Sequence, residues 1–342
     1  MDSIMSTLAK SHSTSVMLGT SLLASLTSPF QRYSQNQPDI WSKDFLPSSV
    51  RDPDPLVDLV GVYLEFALFF LVVLVLFRHL VAHPFARVAL PSDKRDVQSV
   101  SKFGDSACEC ANYMVFTFIG LSVSLTSSWT WPSSNWWSGY ADGSHDLMRS
   151  DLRCWYIMDA SRYTALLFSI LFLEHGRKDF KEMLIHHIVT IVITLVSYHY
   201  DFTRVGAIVK LVMDPADVPL HLAKLCLYIG GTNKKGVAVF WSNRFFEVFA
   251  VVFFVTRIIL FGYVVWSAGI ESSSYLVMPP AGWGCVVLLL ILLCLQMFWM
   301  SLIVKMALKL SKGDELEDIR SDSEGEGDKK EAPITRKKKK KQ

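Results

Sequence analysis

The sequence contains no C-x-x-C pair, no H-E-x-x-H and no N-x-S/T sequon. Its six cysteines are scattered, with only Cys108 and Cys110 close together, and these stand two residues apart. Neither a disulfide framework nor a metal site is expected from that pattern, and N-glycosylation is not expected either. No internal repeat stands out. Charge is scarce: 19% of residues are charged against 51% hydrophobic and 13% aromatic. That balance argues against an ordinary soluble domain and for a polytopic membrane protein. The net charge of +2 over 342 residues gives no reason to expect a nucleic-acid partner.

What the chain has in quantity is long apolar runs. Seven stretches are long enough to span a bilayer, at 57–82, 108–128, 155–173, 184–200, 205–229, 240–266 and 283–308. The expected fold is therefore all-α and multi-pass. Between the second and third runs lies a Trp-, Pro- and Gly-rich segment (129–154), read as an interfacial loop with aromatic anchors. Basic residues alternate between loops. Arg78, Arg87, Lys94, Arg95, Lys102, Arg177, Lys178, Lys181, Lys234, Lys235 and the C-terminal lysines fall on one side, against Arg149, Arg153 and Arg204 on the other. The richer side is expected to be cytosolic, with the C-terminus there. Residues 1–56 read as an N-terminal arm, although the weakly apolar patch 15–26 leaves an extra membrane helix open. Residues 57–98 hold the first span and a cytosolic loop. Residues 312–342 cannot bury an apolar face and read as a disordered cytosolic tail. In that tail Ser321 and Ser323 resemble acidophilic kinase sites, and Lys339 and Lys340 resemble a dilysine signal for retrieval to the endoplasmic reticulum.

The most informative pattern is polar. Lys210, Asp214, Asp217, His221 and Lys224 recur at intervals of 4, 3, 4 and 3 inside the apolar run 205–229, which on one continuous helix would align them along a single face about 21 Å long. An ionisable group at mid-membrane costs about 2.5–3.5 kcal/mol on insertion scales, so this face is expected to line a protein interior or a wet cavity. The preceding run adds His186, Thr190 and Thr194 on one face with Ser197 close by, and His187 about 100° away. The short connection 201–206 makes the two helices antiparallel neighbours. Asp159 with Arg162, Glu247 with Arg244, and Glu65 read as structural charges. A proton-coupled transporter would predict a second, matching broken-helix half, which the sequence lacks.

These residues resemble the ceramide synthase family, whose catalytic unit is the TLC domain. The resemblance is carried by Arg177-Lys178-Asp179-Phe180, Met183, His186-His187, Thr190, Ser197-Tyr198, Arg204, Gly206, Asp214, Asp217, Leu220, Ala223-Lys224 and Tyr228. It places a six-helix TLC-type catalytic domain at 99–311. Three positions depart from the family pattern: Met213 stands where many members have His, His221 where Glu is common, and Asp201 where Asn is common. The resemblance implies an acyltransferase that joins a fatty acyl-CoA to a sphingoid base to form (dihydro)ceramide. It implies His186, His187, Asp214 and Asp217 as catalytic. Arg177, Lys178, Thr190, Ser197, Tyr198, Arg204, Lys210, His221 and Lys224 would line the substrates. No cofactor is expected, because acyl-CoA is a co-substrate that arrives activated. The chemistry admits two routes, general-base catalysis by a histidine or an acyl-imidazole intermediate. The resemblance also implies a multi-pass protein of the endoplasmic reticulum membrane, with homo- or hetero-oligomers left open, and points to the last outer loop (267–282) for acyl-chain length. The competing expectation is a non-enzymatic TLC-like protein that binds or senses lipid.

Overall fold

A computed structural model describes residues 62–140, 150–172, 179–230 and 236–312. The N-terminal arm, the tail with its serines and lysines, and Arg177, Lys178, Lys234 and Lys235 lie outside these residues. All regular elements among the described residues are helical. They are α1 (Tyr63–Ala89), α2 (Val97–Leu125), α3 (Ser134–Trp137), α4 (Ser150–Phe172), α5 (Phe180–His199), α6 (Thr203–Met213), α7 (Asp217–Gly230), α8 (Val237–Phe253), α9 (Phe261–Gly269) and α10 (Pro280–Ser311). A π-helical segment, Phe254–Leu260, joins α8 to α9. The runs of α1, α2, α5, α8 through α9, and α10 are each long and apolar enough to cross a membrane. The protein is an all-α, multi-pass membrane protein.

Local chemistry sets several boundaries. Asp96 caps α2, its carboxylate accepting the Ser99 N–H at 3.0 Å. Hydrogen bonds from Ser99 hold that carboxyl below the usual range. The turn from α5 to α6 needs a left-handed residue, and Asp201 supplies it with φ 59°. Asp and Asn both tolerate that region, so the Asp-for-Asn departure keeps the turn.

The run 205–229 departs from expectation. It is not one helix but two, α6 of 11 residues and α7 of 14, or about 16 and 21 Å long. Pro215 has no N–H to continue the helical ladder, and Asp214–Ala216 form the break. Pro219 falls in the first turn of α7, where a missing N–H costs nothing. The freed Met213 carbonyl accepts hydrogen bonds from Arg257 Nε at 2.9 Å and Nη2 at 2.5 Å.

The tryptophan segment also differs from an interfacial loop. It folds inward as α3, with Trp136 and Trp137 each 2% exposed. The Trp137 indole N–H donates to Ser267 Oγ at 2.8 Å, and Ser267 donates to Glu271 at 2.6 Å. Arg204 clamps the same segment through the carbonyls of Asn135 and Ser138, both at 3.1 Å. The main apolar core fills this tryptophan end of the bundle, drawing on α4, α5, α6, α9 and α10. A second core, built on Phe246, Phe249, Phe253, Trp299 and Ile303, fills the other end between α7, α8 and α10.

Candidate active site

Splitting the polar stripe between two helices gives its members separate partners. Arg162 on α4 meets Asp159 at 2.6 Å, and the same Nη2 donates to both carboxylate oxygens of Asp214, at 3.0 and 2.9 Å. Lys210 pairs with Asp159 and donates to Thr194 Oγ1 at 3.3 Å. Asp217 pairs with Arg257 from the π-helical segment. His221 Nε2 lies 2.9 Å from Glu109 on α2, with its ring stacked on Tyr113 at 5.8 Å. Removing charges from water costs several kcal/mol per ion, which only close pairing and further hydrogen bonds offset. Both aspartates of the D-x-x-D motif thus have their own arginine, each from a different part of the chain. Arg244 and Glu247 form a half-exposed pair at 2.5 Å.

Of the three histidines on α5, the adjacent pair His186 and His187 is buried. His187 Nδ1 lies 2.9 Å from the Met183 carbonyl one turn back, a bond that in the neutral ring places the proton on Nδ1. Tyr163 packs edge-on against both rings, at 6.2 Å from His186 and 5.6 Å from His187. Its hydroxyl donates to Asp214 Oδ1 at 3.5 Å. His186 packs edge-to-face on Trp299 with centroids 5.4 Å apart.

A cavity runs from part of this polar centre to the tryptophan end. It encloses about 740 Å³ of space free of atoms, its open mouth included. His186, Thr190 and Asp214 stand toward one end, and Trp137, Phe202 and Met278 toward the other. Between them the wall is largely apolar, with Ile193, Val205, Val209, Leu289 and Leu292. Tyr156 crosses this wall, its hydroxyl 2.6 Å from Ser197 Oγ. It fits because position 206 is glycine: a Cβ there would overlap the Tyr156 hydroxyl.

Of the residues singled out from sequence, the cavity brings together His186, Thr190, Thr194, Ser197, Gly206, Lys210 and Asp214. His187, Tyr198, Arg204, Asp217, His221 and Lys224 are not among its lining residues. Tyr198 accepts from Arg153 Nε at 3.1 Å, Arg204 clamps α3, and Lys224 is half-buried. Met213 is a lining residue. Asp159 and Arg162 form the structural pair expected and also join the polar centre through Lys210 and Asp214, whereas Arg257, Tyr163, Tyr156 and Glu109 carry no sequence expectation. A charge within a 3.6-residue period gives no sign of which helix it will meet. The only signal available was that Arg257 interrupts an otherwise apolar run. Among the described residues, no three His, Cys, Asp or Glu side chains gather as a metal-binding group.

Comparison with known proteins bears on this site. The TLC domain family model matches residues 102–305. Ceramide synthase 4 of Bos taurus is 33% identical over 229 residues, covering 65% of this chain and 54% of its own length. Ceramide synthase LOH1 of Arabidopsis thaliana is 30% identical over 244 residues, covering 68% of this chain and 76% of its own. The Alternaria stem canker resistance protein 1 of Solanum lycopersicum is 28% identical over 311 residues, covering 85% and 96%. The chain spans little more than half the length of the mammalian ceramide synthase 4 proteins, 54% and 59%. The matched segment takes in every element from α2 to most of α10, and so the whole polar centre, the cavity and both histidines: the chain belongs to the ceramide synthase family of TLC-domain membrane proteins.

Proposed function

We propose that the protein transfers the acyl group of a fatty acyl-CoA to the amine of a sphingoid base, forming the amide of a (dihydro)ceramide. The observation that carries this reading is the cavity: a long, largely apolar slot that ends beside a buried histidine. A slot of that shape suits a hydrocarbon tail, and an imidazole at its end suits the reacting head. The related proteins named ceramide synthase support the same chemistry.

In this reading the thioester carbonyl lies next to His186. The sphingoid base arrives as an ammonium and must lose a proton before its nitrogen can attack. The imidazole nitrogen is the base at that end of the slot and is suited to take it. The C–N bond then forms, the C–S bond breaks, and the CoA thiolate takes a proton back from the imidazolium. Net, one proton is released for each amide formed. The thioester is already activated, so the route calls for neither ATP nor a metal. Asp217 acts on this site indirectly, through Arg257, whereas Asp214 stands at the His186 end of the slot and also holds Arg162 and Tyr163 in place around it. In this reading the protein resides in the endoplasmic reticulum membrane, with the His186 end of the slot and the C-terminus toward the cytosol, where the polar CoA group resides.

The test is purified protein in detergent or lipid, given acyl-CoA and a sphingoid base, with amide measured by mass spectrometry. Amide formation that requires His186 supports the reading. Protein that retains lipid but forms no amide, with folded state verified, overturns it in favour of a lipid-binding role.

A further inference from the structure

A buried polar atom without a hydrogen-bond partner costs about 1–3 kcal/mol, so a group of them calls for an explanation. One such group lies where α5 packs on α10. His186 Nδ1 and Thr190 Oγ1 on α5, and Gln296 Nε2 and Trp299 Nε1 on α10, are all enclosed and unpartnered. Gln296 is 0% exposed and Trp299 is 4% exposed. The two helices run antiparallel, since His186 meets Trp299 at one end while Phe202, just beyond α5, meets Gly282 at the other. From the His186–Trp299 contact, Thr190 lies about 6 Å toward the tryptophan end and Gln296 about 4.5 Å in the same direction. All four atoms therefore belong to one level of the bundle.

The buried stripe of α10 changes character at that level. Cys285, Val286, Leu289 and Leu292 line the apolar slot. Next on the same stripe come Gln296 and Trp299, just past the residues that line the slot, with Trp299 against the His186 ring. Packing alone would be served as well by Leu and Phe. The amide of Gln296 is oriented: its Oε1 accepts from Arg257 Nη1 at 3.5 Å, leaving the NH2 end as the unpartnered donor.

We propose that Gln296 and Trp299 donate hydrogen bonds to the thioester carbonyl oxygen as it becomes an oxyanion. The inference rests on the acyl-transfer reading above. It holds for either attacking group, amine or imidazole. In both cases a C–N bond forms at the carbonyl carbon and the C=O π pair moves onto oxygen. The pair returns as the C–S bond breaks and the thiolate leaves. Fixed N–H donors shielded from water stabilise that charge without reorganising, and removing one such donor typically lowers kcat by about 10²–10³-fold.

The experiment compares Trp299→Phe, Gln296→Leu and Gln296→Glu with the full-length wild type, purified and supplied with acyl-CoA and a sphingoid base. Trp299→Phe keeps a ring against His186 and deletes the N–H. Gln296→Leu deletes the amide, and Gln296→Glu sets a carboxylate where the donor stood. Each is expected to lower kcat by about 10-fold or more, with KM for both substrates little changed and the glutamate variant slowest. A KM rise at constant kcat would mean ground-state packing only, and overturns the proposal. So does wild-type turnover in the Gln296 variants, which decide the matter if Trp299→Phe fails to fold. A wild type that forms no amide overturns the acyl-transfer reading and this inference with it. An active wild type, an inactive His186→Ala and normal donor variants overturn this inference alone.

Discussion

His186 and His187 are neighbours in sequence but have different surroundings. His186 lines the slot, whereas His187 is tied to the Met183 carbonyl and faces Tyr163. His186→Ala is therefore expected to reduce amide formation by about 10²–10⁴-fold, and His187→Ala by clearly less. Equal losses, measured by mass spectrometry on folded protein, would mean that the two rings act as one unit. The aspartates can be separated by stability. Arg162 keeps Asp159 if Asp214 is neutralised, but Asp217 is the carboxylate that Arg257 holds. Breaking a buried pair from one side costs about 3–5 kcal/mol. Asp217→Asn should therefore lower the thermal midpoint in detergent more than Asp214→Asn does. A reversed order would show that Asp159 does not compensate at Arg162.

The interruption between α6 and α7 depends on a side chain from elsewhere. Arg257 spans the Met213 carbonyl and the Asp217 carboxylate with one planar fork, which a lysine ammonium reproduces poorly. Arg257→Lys keeps the charge, yet is expected to destabilise the fold and slow turnover together. Near-normal melting and activity would mean that charge alone suffices there. This element also marks where sequence reading stops. The spacing of Lys210, Asp214, Asp217 and His221 was legible as a buried polar face because periodicity is a property of one segment. That the face would be divided, with partners on α4, α2 and the π-helical segment, depends on how helices are set against each other. Pro215 hinted at the break. Nothing in the period of α10 distinguished Gln296 or Trp299 from core residues; what does so is their unpartnered N–H groups at the level of His186.

Across the whole molecule, the slot is lined at its far end by side chains from separate segments: Trp137 from α3, Phe202 from the α5–α6 turn, and Met278 ahead of α10. Trp137 is held there through Ser267 and Glu271. Trp137→Ala is expected to shift acyl preference toward longer chains while leaving His186 chemistry in place, read by competing acyl-CoAs of graded length. An unchanged product profile would show that the tail does not reach α3. The tryptophans at this end were visible in sequence, but their inward turn was not, because an aromatic-rich loop reads equally as an interfacial anchor. The order in which the chain is synthesised gives the α6–α7 break a further meaning. Neither half reaches across a hydrocarbon layer of about 30 Å, and both hold charges that a translocon releases to lipid reluctantly. Arg162 precedes Asp214 by 52 residues, so that partner is already made when α6 emerges. Arg257 follows Asp217 by 40 residues, so the carboxylate and the open carbonyl of Met213 must wait for it. A nascent chain arrested before residue 257 should leave α7 outside the bundle, exposed to membrane quality control.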